Sequence, residues 1–173
     1  MKGNRTFTIL YLLCSLIFIV VFNILASPSS SSITKQIPVM GLSEFLFIFL
    51  NNLAYTLAGF LLSFVGLSLI FIIKIPLIIA QGAHEAGINP VIYYFSSFTH
   101  GFCELLIGCI LLSFTLSHIN LLFHYAKGEV NRIHISSFYK KALKYLLPTV
   151  SMIILISAFL EVYVSNPLIK VLL

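Results

Sequence analysis

Residues 45–83 read FLFIFLNNLAYTLAGFLLSFVGLSLIFIIKIPLIIAQGA. This apolar block is nearly twice the about 20 residues that a helix needs to cross a hydrocarbon core roughly 30 Å thick. It therefore predicts two crossings joined by a tight hairpin. The break can fall anywhere from Gly66 to Pro76. Lys74 and Pro76 favour the later end, because proline is tolerated in the first turn of a helix. The block divides on this reading into helices over 45–70 and 71–87.

Working outward, apolar runs over 7–26, 95–117 and 145–165 predict three further crossings. The chain is 60% hydrophobic and 9% charged, against about 45–50% and 25% in a soluble domain, and its mean hydropathy is +1.08. The expected fold is all-α: a polytopic membrane helical bundle of about five transmembrane helices, forming a single integral membrane domain over 1–173 with no separate soluble domain. The first run imitates a signal peptide, with Lys2 and Arg5 ahead of it. At about 20 residues it is long for the apolar part of such a peptide, and it is read as a retained helix.

The connections are expected from turn chemistry. The run Ser27-Pro28-Ser29-Ser30-Ser31-Ser32 reads as a solvated loop. Asn89-Pro90 reads as a turn, and Tyr93 and Tyr94 suit the aromatic belt at a membrane surface. Residues 118–144 read as a basic loop, in which Ser136-Ser137 would cap a short amphipathic helix over 138–145 lying on the membrane. Pro148 would sit in the first turn of the last crossing, with a short tail from Pro167 onward.

Charge sets the expected orientation. Five crossings put the N-terminus with the 118–144 loop, which together hold seven basic residues: Lys2, Arg5, Lys127, Arg132, Lys140, Lys141 and Lys144. The other face holds two, Lys35 and Lys170. The basic face is expected to be cytoplasmic, with the N-terminus in and the C-terminus out. The net charge of +5 is thereby an orientation signal rather than a nucleic-acid footprint, since the basic residues are not interleaved with aromatics on a soluble face. Lys127, Arg132, Lys140, Lys141 and Lys144 also form a candidate docking surface for a cytoplasmic ATPase. Cys14, Cys103 and Cys109 lie in apolar segments and argue against a disulfide framework.

His84, Glu85, His100, Glu104 and Glu161 lie within apolar stretches. An ionisable group at membrane depth is costly and marks a functional site by default. In the five-crossing arrangement all five come to a similar depth toward the outer side. His100 and Glu104, four apart, share a helix face. The structural reading comes first: a polar cluster that locks helices by hydrogen bonds. A recognition site for a peptide or lipid comes second. Chemistry comes third, with Glu104 activating water, His100 steadying an oxyanion and Glu161 nearby, or with the cluster holding a metal. No HExxH, GxSxG or GxxxxGK[ST] motif is present, so neither a firm catalytic or metal site nor a nucleotide site is expected.

The stretch Thr99-His100-Gly101-Phe102-Cys103-Glu104 resembles the Pro-His-Gly-x-x-Glu motif of the stage II sporulation protein M family. Asn52, the Gln81-Gly82 step where the family has Asn-Gly, and Ala158-Phe159-Leu160-Glu161 followed by Pro167 fall in matching order, so that the resemblance covers residues 44–173. Thr99 for proline and Gln81 for asparagine depart from the pattern and mark a divergent branch. The resemblance implies a multi-pass protein of the cell membrane of a Gram-positive bacterium.

The sporulation protein is a scaffold for peptidoglycan-degrading partners. Small members are encoded with circular bacteriocins beside an ABC-type ATPase and are implicated in maturation, export and self-protection. The brevity of this chain favours that second branch, by analogy. His84, Glu85, His100, Gly101, Glu104 and Glu161 are then the residues expected to meet a bacteriocin precursor, the mature peptide or a membrane partner. Membrane lipid and other membrane subunits complete the expected partners, and oligomerisation is left open. The alternatives are a non-catalytic scaffold for cell-wall remodelling enzymes, and an intramembrane peptidase or ligase using His100, Glu104 and Glu161. No cofactor is expected apart from a metal on the His/Glu cluster in the chemical reading.

Overall fold

The computed structural model describes residues 2–26 and 39–172. The expected loop over Ser27 to Ser32 lies outside the described residues. Those described are all-α, in five helices: α1 (Lys2–Leu25), α2 (Leu42–Leu62), α3 (Ser68–Ala86), α4 (Pro90–Ala126) and α5 (Arg132–Leu172). Each is long and apolar enough to span a membrane. Large apolar side chains face outward along α1, including Phe7, Leu10, Ile17 and Ile24. Lipid tails satisfy such a surface where water would not.

The hairpin breaks earlier than Lys74 and Pro76 suggest. α2 tightens into a 3₁₀ turn over Ser63–Val65 and ends at Gly66, whose φ of 75° is the left-handed region, a conformation that glycine adopts without a Cβ penalty. Pro76 instead lies buried inside α3. A proline there removes one helical hydrogen bond and leaves the carbonyl four residues earlier without a donor. That carbonyl belongs to Ile72, and the Tyr11 hydroxyl of α1 donates to it at 3.0 Å. A neighbouring helix thus supplies what the proline removes, as the apolar setting requires.

The α3–α4 turn forms where Asn89-Pro90 predicts it. Gly87, at φ 67°, caps α3, while Ile88 N–H donates to the Ala83 carbonyl and Gly87 N–H to that of His84, both at 3.1 Å, the paired bonds of a Schellman ending. The Asn89 side chain accepts from Val91 N–H at 2.9 Å, and Pro90 opens α4. Tyr94 is turned inward rather than to a surface belt: its hydroxyl reaches the Ile79 and Ala80 carbonyls of α3 at 2.9 and 3.0 Å.

The basic loop expected over 118–144 is mostly helix. α4 runs unbroken for 37 residues to Ala126, about 55 Å at 1.5 Å per residue, and α5 begins at Arg132. His118 ends the apolar run without ending the helix, because its ring is buried and its Nδ1 meets the Tyr139 hydroxyl at 2.7 Å. The turn between them contains Gly128 at φ 74°. The cap of α5 is Asn131, which accepts from Ile133 and His134 N–H, and not the Ser136-Ser137 pair.

Beyond that cap the helix continues through both prolines, past the expected limits of 145–165. It does so by widening to a π turn over Ala142–Leu146 and again over Glu161–Ser165. Each π turn ends two residues before a proline, Pro148 and Pro167. The wider turn moves the proline ring clear of the carbonyl that it would strike in a regular helix.

α4 is the central element and packs on α1, α3 and α5. Its Thr115, fully buried, lies 3.1 Å from Ser63 and 2.8 Å from Ser68, pinning the α2–α3 turn. Interhelical bonds of this kind in membranes average about 0.6 kcal/mol. Close approach is supplied by glycine: a Cβ on Gly108 would overlap the Tyr11 ring, and one on Gly82 the Tyr93 ring.

Candidate functional site

His100 and Glu104 lie on successive turns of α4, and Ser157, Glu161 and Ser165 on successive turns of α5. The two rows face each other. His100, 8% exposed, has its Nδ1 3.0 Å from Ser165 Oγ, and its carbonyl accepts from Ser157 Oγ at 3.3 Å. The histidine is therefore held to α5 by hydroxyls at its ring and at its carbonyl. Glu161 and Ser165 sit on the second π turn, a local widening often found at functional sites.

These rows border a groove of about 840 Å³ enclosed by α1, α3, α4 and α5. Glu85, His100, Gly101, Glu104 and Glu161 all line it, so five of the six residues expected to bind a peptide or partner share one concavity. His84 does not line it. Successive residues on a helix point about 100° apart, and with Glu85 on the groove, His84 turns to α1, edge-on to Phe22 at 6.0 Å between ring centroids.

A smaller cavity of about 170 Å³ lies behind Glu104 and is lined by Asn51, Asn52, Thr56 and Ser157. Glu104 borders both spaces. The two asparagines thus border the same cavity as that carboxyl group.

Asn23, Tyr93 and Ser97 also line the groove and were not singled out as site residues. The signal for Asn23 was present: it is an amide near the end of an apolar run. Its Nδ2 donates to the Ile19 and Ala80 carbonyls at 2.8 and 3.2 Å and lies 2.9 Å from the Tyr94 hydroxyl. Tyr93 had a partner signal in Gly82, the small residue that makes room for its ring. Ser97 had none.

Among the described residues no three His, Cys, Asp or Glu side chains converge closely enough to hold a metal ion. The metal reading of the His/Glu cluster therefore has no geometric support. Cys14, Cys103 and Cys109 are free.

The basic residues form a separate surface. Arg132, Ser136, Lys140 and Lys144, each four apart, make one exposed ridge of α5, and an open depression of about 740 Å³ runs along it with Lys141 on the adjoining ridge. Lys127 stands apart at the end of α4, its Nζ 4.2 Å from the Phe123 ring centroid. Phe138 stacks on Phe114 at 5.2 Å and, with Tyr139, anchors the opposite side of this segment to the bundle.

Five long apolar helices around a polar interior are the build expected of a multi-pass membrane protein. No protein family, no curated protein and no solved structure matches the chain.

Proposed function

We propose that the chain is a multi-pass cell-membrane subunit that handles a hydrophobic peptide of the circular-bacteriocin type, in its maturation, its export or self-protection against it. The proposal sets the chain beside the small branch of the stage II sporulation protein M family, on the motif over 99–104. The N-terminus and the basic ridge of α5 face the cytoplasm, where the ridge docks an ABC-type ATPase, and the C-terminus lies outside.

The observation that carries the reading is the groove of about 840 Å³. It is of the size that ligand sites commonly have, about 300–1,000 Å³, its walls are apolar, and its ionisable groups sit where lipid alone would penalise them. Gly101 provides the test, since it lines the groove and a Cβ added there meets no atom within 4 Å. Gly101→Phe should obstruct the groove and should abolish release of mature peptide at matched membrane abundance. Undiminished release would remove the groove from the pathway.

A second reading, a non-catalytic scaffold, is favoured by the hydroxyl bonds that fasten His100 to α5. The scaffold and an enzyme acting through the His/Glu cluster differ at Glu104. Glu104→Gln keeps the shape and hydrogen-bonding capacity of the side chain, and a scaffold tolerates it. An intramembrane peptidase or ligase would lose processing altogether.

A further inference from the structure

We propose that the groove recognises a positive charge, the lysine, arginine or terminal amine of an otherwise hydrophobic peptide. This deepens the peptide-handling reading and rests on it for the identity of the chain that carries the charge.

Three carboxyl groups, Glu85, Glu104 and Glu161, line the groove, and no lysine or arginine does. Ionisable groups at membrane depth are commonly paired with one another or face a polar cavity. Apart from the His100 imidazole, which is held to α5 by Ser165, every acidic or basic side chain of the lining is a carboxyl group. Lipid phosphate has the wrong charge for such a floor, whereas an ammonium or guanidinium group has the right one, and a low-dielectric setting strengthens the attraction.

Two further groups ask for a partner. Ser97 is 4% exposed, lines the groove and has a hydroxyl with no hydrogen-bond partner. Asn23 Oδ1 is likewise buried and without a partner. The orientation of that amide is fixed by its bonds, since the Ile19 and Ala80 carbonyls met by Nδ2 are acceptors only. What remains beside the groove is an unfilled acceptor, which an N–H group satisfies and an anion does not. Ser97 and Glu104 are about 10 Å apart along α4 at 1.5 Å per residue, so the polar strip is longer than a single bare ion needs.

The probes are three diazirine-tagged C12 chains, ending in an amine, an alcohol or a carboxylate, applied to the purified full-length protein in a non-ionic detergent, with labelled residues mapped by mass spectrometry. The expected result is at least tenfold more labelling of groove residues such as Ile19 and Phe98 by the amine than by either other chain. The doubly substituted Glu104→Gln, Glu161→Gln protein should lose that preference, and Glu129→Gln, outside the groove, should keep it. Equal labelling by the three head groups on the native protein overturns the inference without relying on any variant. So does an amine preference that survives the double substitution. Amine selectivity with no peptide crosslinked at the groove in cells leaves the cation site standing and sinks the peptide reading. A peptide crosslink without amine selectivity does the reverse.

Discussion

The Tyr11 hydroxyl donates to the Ile72 carbonyl at 3.0 Å, the one carbonyl of α3 that Pro76 deprives of its helical partner. A proline that the sequence offers as a helix start is thereby accommodated in mid-helix by a tyrosine 61 positions before the carbonyl it satisfies. Gly108 makes room for the ring that carries the hydroxyl, so that three helices meet at one bond.

Tyr11→Phe should lower stability by about 0.6 kcal/mol, the average for interhelical bonds in a membrane, and by no more than about 1.7 kcal/mol. In a Pro76→Ala background the restored backbone N–H fills the Ile72 carbonyl, and the cost of Tyr11→Phe should fall toward zero. Denaturation of the four proteins of this cycle in mixed micelles measures the coupling. A cost for Tyr11→Phe that is the same in both backgrounds would detach the tyrosine from the proline.

Glycine tolerance should follow the packing. Gly82→Ala drives a methyl into the Tyr93 ring and should cost about 1–3 kcal/mol, as overpacking does, with partial relief when Tyr93→Phe removes the nearest atom. Gly101→Ala, whose Cβ meets open space inside α4, should not destabilise and should gain up to about 1 kcal/mol from helix propensity. Thermal unfolding in detergent, read for both variants, separates the two sites.

The five spans were legible because the run lengths match a bilayer. So was most of the polar site, because a charge in an apolar run is conspicuous at any position. Backbone compensation was not legible. Pro76, Pro148 and Pro167 look like helix boundaries in a string of letters, yet a hydroxyl from α1 and two π turns carry the helices through them. His118 looks like the start of a loop because its partners, Tyr139 and Phe64, are remote in sequence. The division of roles between His84 and Glu85 depends on how α3 is rotated against α1, which hydropathy does not encode.

Orientation can be read with single cysteines in a protein lacking Cys14, Cys103 and Cys109. Cysteines at Ser30 and after Leu173 should react with an impermeant thiol reagent on intact cells, and one at Glu129 should react only after the cells are opened. Reaction at Glu129 in sealed cells would invert the proposed topology.

The basic ridge makes a separate claim. Changing Lys140, Lys141 and Lys144 to glutamine should reduce co-purification of the proposed ATPase partner by roughly tenfold, a loss equivalent to about 1.4 kcal/mol. Lys2 and Arg5 should still orient the protein. Full recovery of the ATPase with unchanged topology would leave the ridge as an orientation signal alone.

The groove is tested most directly by what occupies it in the living membrane. A photo-reactive phenylalanine analogue replaces Phe98, on the exposed rim of the groove, or Phe7, which faces outward from α1 away from it, in cells that make the peptide, and the mass of each adduct is measured. The account predicts an adduct carrying the mass of the precursor or mature peptide at position 98, and lipid adducts alone at position 7. Lipid adducts alone at both positions, in cells actively producing peptide, would contradict it.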